Sequence, residues 1–202
     1  FLSYWGAPND QPDGPNQALR SARQLIISME VVKQKQIPEV KAIFGYGVAL
    51  HSGFALVGNK GSEKKMEYGL VGDTINEAAR IEALTKYYGA RLLVSQEIFD
   101  QLNEPGRHRL IDRVIVKGKS EPVVLYELEQ ANSLAEFDDI ANDFKIAFDE
   151  YSGGKFAEAK PKFQKLIDEF DDGPSKVMVD RCEQLIAKPR SDWKGVWKME
   201  NK

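Results

Sequence analysis

The sequence is short of several things that would place it in a large class. It holds one cysteine, Cys182, in 202 residues. That excludes an intramolecular disulfide framework and fits a reducing compartment, so the catalytic part is expected in the cytoplasm. Positive charge is not in surplus: 28 Lys and Arg stand against 31 Asp and Glu, a formal net charge of −3. No overall basic field therefore invites nucleic acid or an anionic membrane surface. There is no apolar run of membrane-spanning length and no signal peptide pattern. An initiator Met is absent too, and the chain enters directly on a strand-like run, Phe1-Leu2-Ser3-Tyr4-Trp5. It reads as part of a longer protein, and an upstream regulatory, sensor or membrane region is left open.

What is present is organised around Glu67 to Glu82, EYGLVGDTINEAARIE. Gly72-Asp73 signals a turn, and Asp73 or Thr74 can cap the helix that follows. Ile75, Ala78, Ala79 and Ile81 to Leu84 supply its apolar stripe. Asn76 and Arg80 stand four apart and share one face, leaning toward the positive N-terminal end of the helix dipole. An amide, a planar cation and free N–H groups converging there suit an anion, phosphate above all. Spacing alone leaves an exposed helix with solvated Asn and Arg equally open.

The chain before this helix reads Phe1 to Trp5 as a strand leaving the core, then a loop through Pro15. A helix follows from about Asn16 to Gln36, with Ala18, Ala22, Leu25, Ile26, Met29, Val31 and Val32 as its stripe. Ala42 to Leu50 is β-prone, with Gly45 and Gly47 marking a bulge or a close backbone approach. Ser52-Gly53 turns it into a returning strand, Phe54 to Val57, giving a hairpin, and Gly58 to Lys65 is a polar loop. His51 could serve as a general base, but no Asp or nucleophile is spaced to partner it, and a structural strand-end role is preferred.

After the Asn/Arg helix, Gly89 suits a C′ position. A short strand (Arg91 to Val94), a helix capped by Ser95, and strands Arg109 to Val116 and Val123 to Leu128 complete a mixed α+β arrangement. Beyond Glu129 the pattern turns helical. Phe137, Ile140, Phe144, Ala147, Phe148 and Tyr151 form one stripe, and Phe156, Ala159, Phe163, Leu166, Ile167 and Phe170 a second. A third helix follows Asp172-Gly173-Pro174-Ser175. Pro161 predicts a kink or a later start for the second helix. Trp193 and Trp197 read as anchors against the helices.

The order Gly45-x-Gly47, His51-Ser52-Gly53, Gly58, Tyr68, Gly72-Asp73, Asn76, Ala79-Arg80, followed by VKGKSEPVVLYEL, resembles the second half of a class III nucleotidyl cyclase catalytic domain. FLSYWGAP resembles the segment just after the family's second metal-binding aspartate. The resemblance implies a ferredoxin-like cyclase palm, truncated at its N-terminus, over residues 1–130, with an all-α tail over 131–202. Within the tail, Tyr-x-x-Gly-Lys-Phe-x-Glu-Ala is similar to one tetratricopeptide-like repeat, which cannot bury its face alone and should dock on the palm or a partner.

By the same resemblance the reaction is cyclisation of ATP or GTP, with adenylate favoured, in a homodimer whose sites are shared between protomers. Asn76 would orient the ribose and Arg80 would stabilise charge on the reacting phosphate. A lysine of the KGK loop, Lys117 by preference, would hold the terminal phosphates. Gly69 occupies the purine-specifying position and departs from the family pattern, having no side chain to read a base. The two divalent ions, Mg²⁺ or Mn²⁺, would use aspartates expected before Phe1, so no metal ligand is assigned in this sequence. Two other readings stay open: a non-catalytic cyclase-like dimerisation or nucleotide-sensing module, and a helical interaction protein carried by the tail.

Overall fold

A computed structural model describes residues 1–62, 65–116, 118–129 and 136–199. α1 (Gly14–Gln34) opens with proline in its first turn, where the missing N–H costs nothing. α2 (Pro38–Ile43) begins the same way. The strands are β1 (Val48–Leu50), β2 (Leu56–Ser62), β3 (Lys65–Val71), β4 (Leu92–Ser95), β5 (His108–Ile115), β6 (Val123–Leu128) and β7 (Trp197–Lys198), with α3 (Asp73–Tyr88) and α4 (Gln96–Phe99) between them. The tail is α5 (Phe137–Ser152), α6 (Phe156–Phe170) and α7 (Gly173–Ala187).

Five strands form one mixed sheet in the order β1-β4-β6-β5-β7, and β2 and β3 form a separate two-stranded ribbon. β1 runs parallel to β4, and β5 to β7, while the other pairs are antiparallel. Successive side chains of a strand point to opposite faces. On β4 this sends Leu92 and Val94 into one core and Leu93 into another. The first core is closed by Ala18, Leu19, Ala22 and Ile26 of α1. The second is shared: Ile81, Leu84 and Tyr88 of α3 and Ile111 and Val114 of β5 pack in one cluster with Phe144, Phe163, Met178 and Cys182 of the tail. The expected docking of the tail on the palm is what the structure shows, and the fold is α+β.

Several local expectations are corrected. Phe1 to Trp5 has no strand structure, and Phe1, Leu2 and Tyr4 are exposed, because no described strand lies alongside to complete a ladder. The run Ala42 to Leu50 is helical at its start and a strand only from Val48. The hairpin partners differ too: β2 pairs with β3, Leu56 opposite Val71, and β1 pairs instead with β4. Leu25, Val31 and Val32 of α1 are exposed, the burying face being Ala18-Leu19-Ala22-Ile26. Pro161 sits inside α6, which starts at Phe156 as its stripe suggests. β7, two residues long, had no signal in the sequence. No helix among the described residues is long and apolar enough to cross a membrane.

Candidate active site

α3 sits where its flanks place it. Gly72 stands at its N-cap without a side-chain cap, and neither Asp73 nor Thr74 caps it as expected. The Thr74 hydroxyl instead donates to the Phe54 carbonyl, and Asp73 pairs with Lys119. Gly89, in the left-handed region at φ 69°, ends the helix as its position suggests. Gly47 explains how β1 and α3 come so close. A Cβ there would lie 1.8 Å from Thr85 Oγ1, so only glycine allows the approach.

Arg80 is half-buried, and its Nη1 is fully buried with no hydrogen-bond partner among the described residues. An unpaired guanidinium N–H out of water is costly unless something supplies an acceptor. Its Nη2 lies near Gly118, about 3.5 Å from where a Cβ on that residue would stand. The tip of the β5–β6 hairpin and Arg80 are thus brought together. Asn76, one turn earlier, is exposed. Lys117 lies outside the described residues.

Its neighbour Lys119 is occupied. Its ammonium is 2.5 Å from Asp73 Oδ2 and 2.7 Å from Glu77 Oε2. The hydrogen bonds it donates to Asp73 and Glu77 push its pKa above the ordinary lysine value, and the bond Asp73 accepts from Lys119 holds that carboxyl below the usual carboxylate range. The loop is therefore strapped to the first two turns of α3. His51 lies alongside, its Nδ1 2.8 Å from Ser95 Oγ and its Nε2 3.8 Å from Glu77. Burial lowers its pKa, with Glu77 and Glu97 pulling the other way. The bond to Ser95 supports the structural role. It also explains why the Ser95 hydroxyl makes no cap bond to α4.

Gly69 faces Gly58 across the ribbon, so neither position offers a side chain to a base edge. No group of three His, Cys, Asp or Glu able to share a metal ion occurs among the described residues. Two carboxylates of the first turns of the site helix, Asp73 and Glu77, are already taken by Lys119. The described residues do not fit a divalent-ion site. Sequence reasoning missed the pairing of Lys119 with α3 and the exposed apolar side chains of the ribbon, Met66 and Tyr68 on one face and Leu56 and Val71 on the other. The alternation in β3 could have signalled the second.

No protein-family model matches the chain. It is 30% identical over 131 residues to adenylate cyclase 1 of Rhizobium meliloti, a match covering 63% of this chain and 19% of that protein. It is 32% identical over 147 residues to the terminal-differentiation specific adenylate cyclase of Dictyostelium discoideum, covering 69% of this chain and 7% of that protein. The crystal structure of the guanylyl cyclase Cya2 shares the fold with a TM-score of 0.51 at 25% identity, over 65% of this chain and 66% of that one. The chain thus spans less than a fifth of the length of these two curated relatives. Sequence order, sheet topology and these similarities agree on one likeness, to part of a class III nucleotidyl cyclase catalytic domain.

Proposed function

We propose that the protein converts a nucleoside triphosphate into its 3′,5′-cyclic monophosphate and pyrophosphate, with ATP the preferred substrate. The 3′-hydroxyl gives up its proton to solvent, its oxygen forms a bond to the α-phosphorus, the bond from that phosphorus to the bridging oxygen breaks, and pyrophosphate leaves. Such in-line transfer leaves a protein little covalent work; catalysis is positioning and charge stabilisation. The observation that carries the reading is the buried, unpartnered Nη1 of Arg80 beside the hairpin tip. A cation held ready with no acceptor among the described residues suits charge that develops only during reaction.

In this reading Asn76, on the same face one turn away, orients the ribose. Lys117 neutralises the terminal phosphates, while Lys119 fixes the loop to α3 rather than binding substrate, since two carboxylates already hold it. The preference for ATP rests on relatives named adenylate cyclase, not on Gly69, which has no side chain to select a purine. The divalent ions such a transfer uses, Mg²⁺ or Mn²⁺, would be held by residues outside this stretch. Two protomers would share each site, the exposed apolar ribbon supplying surface for the contact. A cytoplasmic setting for the reaction is consistent with the free, buried thiol of Cys182. Formation of a cyclic nucleotide by the full-length protein, and its slowing in Arg80→Ala, tests the reading.

A further inference from the structure

Polar networks tie the helical tail to the palm, and one of them ends on the site helix. The Tyr88 hydroxyl, at the last residue of α3, donates to Asp112 Oδ2 at 2.6 Å and accepts from Arg181 Nη2 at 3.0 Å. Arg181 Nη1, from α7, also donates to Asp112 of β5. All three side chains are buried. The Arg181 guanidinium further lies over the Trp197 ring, 4.7 Å from its centroid. Burial opposes its charge, but Asp112 and the surrounding tyrosines Tyr88, Tyr151 and Tyr87 together outweigh that and hold its pKa well above the ordinary arginine value.

The backbones meet at the same place. Gly173 opens α7, and a Cβ there would fall 2.5 Å from the Tyr88 carbonyl oxygen. The start of α7 therefore abuts the end of α3 with no room for a methyl group. α7 is itself pinned to the palm, because Asp172, which caps it, lies 2.6 Å from Arg109 of β5.

Stability alone does not call for this arrangement. A buried ion pair is often no better than apolar packing of the same volume, and what it secures is one geometry. Here Arg181 Nε is left buried without a hydrogen-bond partner among the described residues, so the network is not tuned for maximal satisfaction. What it does fix is α3. The hydroxyl contacts set the rotation of the helix, and the Gly173 abutment sets its position along the axis. Arg80 lies eight residues before Tyr88, about 12 Å along the same rigid helix, so a shift at one end is carried to the other.

We propose that Arg181 and Gly173 are positioning residues for the cyclase site, setting α3 through Tyr88 and Asp112 and so fixing where Asn76 and Arg80 stand. The inference rests on the reading of α3 as the catalytic helix. In such sites a misplacement of about 1 Å can cost about a hundredfold in rate, so a partial slip is expected to cost about tenfold.

The test uses the full-length protein with Tyr88→Phe, which keeps the ring and loses the hydroxyl, and Gly173→Ala, which adds one methyl. Phe163→Leu, in the tail core against Phe144, serves as a control for stability alone. Steady-state rates, melting temperatures and amide exchange of residues 76–80 are measured for each. The expected result is a kcat about tenfold lower in both variants with KM within about twofold, and faster exchange at 76–80 while α7 keeps its protection. Phe163→Leu should melt earlier with an unchanged kcat. Rates within about twofold of the parent in the folded variants would overturn the proposal. So would an equal rate loss in Phe163→Leu, or failure of both Tyr88→Phe and Gly173→Ala to fold, since either assigns the contacts a structural role. If the parent makes no cyclic nucleotide, the functional reading fails by itself. Exchange at 76–80 then decides whether the tail sets α3, and unchanged exchange rejects it.

Discussion

Lys119 reaches from the hairpin loop to Glu77 on α3, its ammonium 2.7 Å from the carboxylate. A lysine whose charge is met by two carboxylates has little left for a phosphate. Lys117→Ala is therefore expected to raise the KM for the triphosphate by about tenfold or more, the scale of one charged hydrogen bond. Lys119→Ala should move it less than about threefold. Steady-state kinetics on both variants decides, and the reverse order would give the phosphate role to Lys119.

Arg80→Ala should act on kcat and leave KM nearly alone, because charge on the phosphate oxygens shifts during transfer. Losing one preorganised donor typically costs about 2.7–4 kcal/mol, or about a hundred- to a thousandfold in rate. Arg80→Lys should recover little, since a point charge on a flexible stem lacks the planar fork. A change confined to KM would mean that Arg80 only binds substrate. Activity per protomer should also fall on dilution, and constancy down to concentrations where protomers separate would contradict the shared site.

The tail shares the palm's second core, so it should not be dispensable. Phe163 is fully buried and meets Phe144 edge to face at 5.2 Å. Phe163→Ala is expected to cost about 3–5 kcal/mol. Removing Phe137–Lys202 would strip partners from Ile81, Leu84 and Ile111 and should leave an insoluble or molten palm. Denaturant melts check both, and an unchanged midpoint after deletion would make the tail an independent arm.

His51 gives a pH signature. Burial holds its pKa below the ordinary 6.5, so the folded protein binds that proton more weakly than the unfolded chain does. The stability tied to His51 is therefore fully present above pH 6.5 and lost as pH falls through the lower folded value. Melting curves of parent and His51→Gln from about pH 7.5 to about pH 5.5 should converge toward acid. The difference isolates His51 from other titrating groups, such as Glu127, which burial raises. A gap that widens toward acid would contradict the sign.

Much of the site was legible because its signals are local. Gly72-Asp73 before an amphipathic run, the Asn76–Arg80 spacing and Gly89 each depend on a few neighbouring residues, and α3 ends where they say. Strand pairing was less legible. Phe1 to Trp5 has the composition of a strand but no described neighbour, and strand propensity without a partner decides little. Ala42 to Leu50 was divided by a helix starting at Pro38, and β1 found its partner at Leu92 to Val94, far along the chain. No periodicity could show that Lys119 is bound while Arg80 Nη1 is not. Those are tertiary facts, and they separate the two roles.

The central claim is tested most directly by incubating the full-length protein with ATP or GTP and Mg²⁺ or Mn²⁺ and resolving the products. The account predicts equal amounts of 3′,5′-cyclic nucleotide and pyrophosphate, more from ATP, and formation about a hundred- to a thousandfold slower with Arg80→Ala. Absence of cyclic product from both triphosphates with both ions would contradict it.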